Sequence, residues 1–111
     1  GGYYFDRSTQ EIPAPDVFVA TDKLPQPLEL PSAHYPEMAR KAGMEGTVQL
    51  QVYVGADGRV KKVIVAEPSG SEIGFEEAAV EAAWQGKWTP AEQNGKPVGL
   101  WVSYPVRFRL H

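Results

Sequence analysis

The side chains most able to do acid–base or metal chemistry are four glutamates at helical spacing: Glu72, Glu76, Glu77 and Glu81. No nucleophile, histidine or second acidic cluster is expected to converge with them, as a catalytic site would require. The spacing instead favours a solvated helix face, whose carboxylates are stabilised by the positive end of the helix dipole. We therefore predict no catalytic residues and no enzyme activity.

Metal, cofactor and nucleic-acid chemistry have no clearer candidates. The chain has no cysteine and only two histidines, His34 and the terminal His111, so no metal site is expected. The glycines form neither GxxxxGK[ST] nor GxGxxG, so no nucleotide cofactor is expected. A net charge of −3 with scattered lysines and arginines argues against nucleic-acid binding, which needs a basic stripe.

The last strand offers the best candidate for recognition. Its apolar residues (Leu100, Val102, Tyr104, Val106, Phe108, Leu110) alternate with Trp101, Ser103, Pro105, Arg107 and Arg109. This period of two predicts a half-buried antiparallel strand. At a sheet edge, its free backbone groups would bind an extended peptide, with Trp101, Arg107 and Arg109 providing selectivity. The alternative is an ordinary edge strand whose charges and Pro105 discourage aggregation.

The remaining patterns predict the elements that position this strand. A short helix is expected within residues 34–43, with Pro36 at its first position and Gly43 as its left-handed cap. At helical spacing, one apolar face of this helix would carry Tyr35, Met38, Ala39 and Ala42. Period-two strands follow from Thr47 and at Val60–Glu67, joined by a tight turn. The even-numbered turn predicts a register that places Val63 and Val65 over the face of Val52 and Leu50. A second helix is expected over about Ile73–Trp84, with Phe75 and a row of alanines on its packed face.

The element order is therefore helix, strand, strand, helix, strand. It predicts an α+β fold: a two-layer sandwich with a three-stranded antiparallel sheet and both helices on one face. We expect the strand order second, first, third, which leaves the last strand at an edge. The length of 111 residues suits one small domain, residues 34–111.

Residues 1–33, called the lead-in below, have a different composition. Five of the ten prolines fall here: Pro13, Pro15, Pro25, Pro27 and Pro31. Proline fixes its own φ and biases the preceding residue towards extended geometry, so we predict an extended segment with a short strand at Asp16–Ala20. The alternative is a disordered linker. No apolar run reaches the roughly 18 residues of a membrane span, so an anchor would have to precede this sequence.

The ordered motifs over residues 34–110 resemble the C-terminal domain of TonB proteins. They are Tyr35-Pro36, Ala39, Gly43, Gly46-Thr47-Val48, Asp57-Gly58, Ser69-Gly70, Ala78-Ala79, Pro90-Ala91, Gly95-Lys96-Pro97 and Val106-Arg107-Phe108. Two positions depart from the family pattern. His34 stands where glutamine often precedes Tyr-Pro, and Gly86 stands where an aromatic residue is frequent.

This resemblance implies an inner-membrane protein of a Gram-negative bacterium that crosses the periplasm. With ExbB- and ExbD-like partners, it would deliver proton-motive energy to outer-membrane transporters. The transporter's extended TonB box would pair with the last strand, supported by His34, Tyr35 and Pro36. The strand residues implicated are Gly99, Leu100, Trp101, Val102, Ser103, Tyr104, Arg107 and Arg109.

Other functions stay open at this level. A TolA-like scaffold domain would bind a folded envelope protein instead of a transporter segment. A cystatin-like inhibitor or small enzyme is a third class, but no wedge of protease-binding loops is visible. Tyr53, Ile64 and Trp101 could form an exposed apolar patch for contact or dimerisation. A homodimer could also form by exchange of edge strands.

Overall fold

The computed structural model describes residues 4–6 and 12–110. The lead-in's other residues and His111 lie outside this description. The helices are α1 (Glu37–Lys41) and α2 (Phe75–Trp84). The strands are β1 (Tyr4–Asp6), β2 (Gln26–Glu29), β3 (Gly46–Val54), β4 (Val60–Glu67), β5 (Lys87–Thr89), β6 (Ala91–Gln93), β7 (Lys96–Val98) and β8 (Leu100–Phe108).

The main sheet is antiparallel, with the strand order β1-β4-β3-β8. Its last three strands are the three predicted ones in the predicted order, and the α+β fold class is confirmed. The additional strand β1 comes from the lead-in and pairs with the outer side of β4. Two small two-stranded sheets, β2-β5 and β6-β7, also form. Their three- and four-residue strands are too short for a periodic signal in the sequence.

The core lies between the main sheet and the two helices. The inward side chains of β3 (Val48, Leu50, Val52, Val54) are fully buried. Val63 and Val65 of β4 pair with Val52 and Leu50 and are equally buried, as the register prediction required. A one-residue slip would move this apolar set to the opposite face, so burial fixes the register.

Helix α2 begins two residues later than predicted. Gly74, at φ +99°, is left-handed and lies outside the helix, and Phe75 is the first helical and fully buried residue. The expectation that Glu76 lies on a solvated face is wrong, because only 9% of this residue is exposed. Its carboxylate accepts a hydrogen bond from the Ser69 backbone N–H. Burial acts to raise the pKa of Glu76, but hydrogen bonds from Ser69 and from the backbone N–H of Glu76 together outweigh it and lower the pKa below its ordinary value.

Helix α1 is a single short turn at the margin of the core. Ala39 is fully buried, and Gly43 takes the expected left-handed conformation, at φ +69°. Met38 was expected on the packed face but is 74% exposed. With only five residues, α1 buries one narrow stripe, and Met38 lies outside it.

The strand expected at Asp16–Ala20 is absent. Pro15 and Asp16 form a turn, closed by a hydrogen bond of 3.1 Å from the Val17 N–H to the Ala14 carbonyl. Within residues 12–33, the strand lies instead at β2, which pairs with β5. A strand needs a partner for its backbone groups, and β5 supplies one for β2.

Candidate functional site

Strand β8 has one open edge among the described residues. It pairs with β3 along its full length, from Leu100 opposite Val54 to Phe108 opposite Gly46. No described strand lies on its other side. This edge therefore presents unpaired backbone groups to the surroundings, as the sequence analysis anticipated.

Pro105 indicates which residues face that edge. Proline lacks an N–H and is tolerated in an edge strand where its nitrogen points away from the neighbouring strand. Backbone groups of alternate residues point to alternate sides of a strand. We infer that Ser103 and Arg107 share the orientation of Pro105 and direct their N–H and C=O groups outward.

A groove of about 330 Å³ lies beside the C-terminal half of this edge. One wall is formed by the end of the lead-in, residues 30–33, together with Tyr35. The other wall is formed by residues 104–109. An extended chain added to β8 would have the lead-in beside it, so both sides of the groove would contact it.

Tyr35 connects its wall of the groove to the core. Its hydroxyl donates a hydrogen bond to the Met44 carbonyl. Its ring packs edge-on against Phe75 and Phe108, with centroid distances of 6.0 and 5.6 Å. Burial and then the Glu45 carboxylate raise the pKa of Tyr35, so it stays a neutral donor at physiological pH.

Tyr104 supplies a second aromatic wall. Its ring lies 5.9 Å from the Trp88 ring, centroid to centroid. Burial raises the pKa of Tyr104 to about 12, because the phenolate would be poorly solvated there. The groove therefore gains a neutral, largely apolar surface at this point.

Positive charge lies at the far end of the groove. The Arg109 guanidinium is 4.0 Å from the Glu45 carboxylate, an exposed pair of little energetic weight. Arg107 is exposed and makes no ion pair among the described residues. This end of the groove is suited to a segment that carries a carboxylate.

The structure separates the predicted support residues. Tyr35 lines the groove, whereas His34 and Pro36 line a different cleft of about 420 Å³ against α2. The sequence patterns did not predict the wall formed by residues 30–33. Only Pro31 marked this segment as extended, and its position beside β8 depends on tertiary contacts.

The N-terminal half of β8 is less accessible. Trp101 donates from Nε1 to the Pro13 carbonyl at 2.8 Å and stacks edge-on with Tyr53 at 5.4 Å. Gly99 lies under the Tyr53 hydroxyl, since a Cβ there would be 2.1 Å from that oxygen. Val102 is half-buried and packs on the core.

The apolar patch expected from Tyr53, Ile64 and Trp101 is therefore partly covered by the chain itself. Leu100 is half-buried opposite Val54, at the start of β8. Ser103 remains exposed, and its hydroxyl accepts a hydrogen bond from Gln49. Of the residues predicted to bind along the last strand, Tyr104, Arg107 and Arg109 line the groove.

Within residues 4–6 and 12–110, no group of three or more His, Asp or Glu side chains is placed to hold a metal ion. Across the same residues, no helix has the length and apolar character needed to cross a membrane.

Together, these features define a small two-layer α+β domain whose main sheet has an open edge beside a groove. The family model of the Gram-negative bacterial TonB protein C-terminal domain matches residues 31–110. The chain belongs to this family.

Individual relatives agree with this assignment. Protein tonB2 of Pseudomonas aeruginosa is 38% identical over 84 residues, which is 76% of this chain and 31% of that protein. Protein TonB of Vibrio cholerae is 38% identical over 76 residues, covering 68% and 31%. The solution structure of the Pseudomonas aeruginosa TonB C-terminal domain has a TM-score of 0.67 at 27% identity, covering 81% of this chain and 90% of that one. The chain spans about 31% of the length of these curated relatives.

Proposed function

We propose that this domain binds an extended segment of outer-membrane transporters by strand addition to the open edge of β8. The observation that carries the proposal is that edge and its adjoining groove, walled by residues 30–33 and Tyr35. Main-chain hydrogen bonds would supply affinity, and the groove side chains would supply selectivity. The domain makes and breaks no covalent bond.

The proposal extends to the longer protein of which such a domain is part. An N-terminal anchor in the inner membrane and ExbB- and ExbD-like partners would supply proton-motive energy from the inner membrane. The periplasm would be the compartment of the domain. The lead-in would connect it to the anchor, with the domain proper at residues 34–111. The family match favours this function over a TolA-like scaffold.

The binding residues fall into two groups under this proposal. Ser103, Tyr104, Arg107 and Arg109 would contact the added strand directly, with Tyr35 beside it. The open-edge orientation inferred from Pro105 supports Ser103 and Arg107, and the groove lining supports Tyr35, Tyr104, Arg107 and Arg109. The other predicted positions, His34, Pro36 and residues 99–102, would act through the position of the lead-in and the start of β8.

An amide NMR titration with peptides from the N-termini of transporters of the same organism tests this function. Saturable shifts should be confined to residues 99–109, 30–33 and Tyr35. Ser103→Pro should weaken binding roughly tenfold or more. It removes a backbone N–H whose hydrogen bond to the peptide would contribute about 1 kcal/mol, and the proline ring would lie where the added strand approaches.

Ser103→Ala is the matched control. It removes the hydroxyl's bonds to Gln49 and to the Leu50 carbonyl but keeps the backbone N–H. It should bind nearly as the parent does. A folded Ser103→Pro domain with undiminished binding would rule out this edge as the docking site.

A further inference from the structure

The lead-in runs along the domain through contacts made mainly by its backbone. Strand β1 occupies the outer edge of β4. Further along, the Pro13 carbonyl accepts the hydrogen bond from Trp101. Strand β2 then pairs with β5, directly before the residues that wall the groove. The segment thus reaches both edges of the main sheet.

A clamp at Glu92 holds the middle of the lead-in. The Glu92 carbonyl accepts from the N–H groups of Asp22 and Lys23 at 2.8 and 3.3 Å, and the Glu92 N–H donates to the Lys23 carbonyl at 3.0 Å. The Lys23 ammonium lies 3.9 Å from the Glu92 carboxylate, with 61% and 36% of the two side chains exposed. Such an exposed ion pair contributes little free energy beyond that of the backbone hydrogen bonds.

The lead-in buries little apolar surface in addition to its backbone hydrogen bonds. All four residues of β2 are exposed, including Leu28 at 69%, and Leu24 is 62% exposed. Pro25 is the one buried residue between positions 12 and 33. By contrast, the inward residues of β3 are fully buried. Segments with few buried contacts and exposed hydrogen bonds open at far lower free energy than a core sheet.

We propose that the lead-in is a releasable strap. Tension applied from its N-terminal side lifts β2 from β5 before it opens the pairing of β3 with β8. Once the attachments N-terminal to β2 have given way, load reaches Gln26 before Glu29, so the pairing of Gln26 with Thr89 breaks before that of Glu29 with Lys87. Release lengthens the tether and removes residues 30–33 from the groove.

The release has a defined length. Residues 12–33, once freed, extend to about 75 Å at roughly 3.4 Å per residue. If β2 stays attached at residue 26, residues 26–33 are not freed, and the released length is shorter by about 27 Å at the same rise. This proposal depends on the proposed function only for the source of the tension on the lead-in.

Single-molecule pulling on the two ends of the chain tests the strap without any transporter peptide. The chain has no cysteine, so Gln26→Cys/Thr89→Cys introduces one disulfide across a directly opposed β2–β5 pair. The unmodified chain should show an early low-force extension before the core unfolds. The oxidised variant should show that step shortened by up to about 27 Å, and reduction should restore it.

Gln93→Cys/Lys96→Cys is the matched control, because its disulfide closes the β6–β7 hairpin and leaves the strap free. It should keep the full early step. Unfolding of the unmodified chain in one event would overturn the proposal, as would an oxidised Gln26→Cys/Thr89→Cys variant with an unshortened early step. The pulling experiment contains no transporter peptide, so a failure of peptide binding would leave its force–extension traces unchanged. The strap and the proposed peptide binding can therefore be refuted independently.

Discussion

Replacing Gly58 by alanine should destabilise the domain by about 3 kcal/mol or more. Gly58 has a φ of +81°, a conformation that costs an L-residue about 1–2 kcal/mol. A Cβ there would lie 2.2 Å from the Trp88 carbonyl oxygen, which is backbone and cannot rotate away. The Trp88 N–H also donates to the Gly58 carbonyl at 3.0 Å, so any shift that relieves the clash strains this bond, worth about 0.5–1.5 kcal/mol. Movement of the buried Trp88 away from its packed position accounts for the rest of the expected destabilisation.

Gly70→Ala separates the free-energy cost of a positive φ from the cost of a steric clash. Gly70 has a similar φ of +86°, but an added Cβ would meet no atom within 4 Å. It should therefore cost only the conformational 1–2 kcal/mol or so. Urea unfolding at one pH, with equal m-values, measures both losses. Equal losses in the two variants would refute the contact between Gly58 and Trp88 as the source of the difference.

Three further outcomes follow from buried groups. The lowered pKa of Glu76 means that it stabilises the fold above its unfolded-state pKa and ceases to do so as the pH falls through its folded-state pKa. Acid unfolding should therefore be less steep in Glu76→Gln than in the parent, and identical slopes would contradict the role of Ser69. Burial raises the pKa of Tyr104 to about 12, so its stabilisation is complete below about pH 10 and is lost between about pH 10 and 12. Urea unfolding of Tyr104→Phe should depend less on pH across this interval than that of the parent. Leu50→Ala should cost about 2–5 kcal/mol, because Leu50 is fully buried. Ile64→Ala on the opposite face should cost clearly less in the same urea experiment, and equal costs would contradict the assignment of faces.

The long strands were predictable because one physical rule dominates them. Alternate side chains of β3 face a core, so burial imposes a period of two on the sequence. The same rule fixed the pairing of Val52 with Val63 and therefore the turn between β3 and β4. Gly43 was predictable for another local reason, since glycine readily takes the left-handed conformation that ends α1.

The lead-in and part of the site were not predictable, because their structure depends on distant partners. Strand β2 has four exposed residues and no apolar alternation, and it is a strand only because β5 lies beside it. Glu76 follows a pattern typical of a solvated helix face, and only the Ser69 N–H explains its burial. His34 and Tyr35 are neighbours in sequence, yet successive side chains of an extended segment point apart, so they line different clefts.

Under the proposed function, the two edges of the main sheet indicate which kind of segment β8 would accept. The β4 edge is filled by the chain's own β1, whereas the β8 edge is left open among the described residues. Pro105 interrupts the row of donors at the middle of β8, which deters full-length pairing with a like strand. A docked segment would therefore gain backbone bonds on either side of Pro105 but none from its nitrogen. Only the C-terminal side also borders the groove. Selectivity should consequently be concentrated in the part of the segment that lies beside Arg107 and Arg109, where backbone bonds, apolar walls and positive charge coincide.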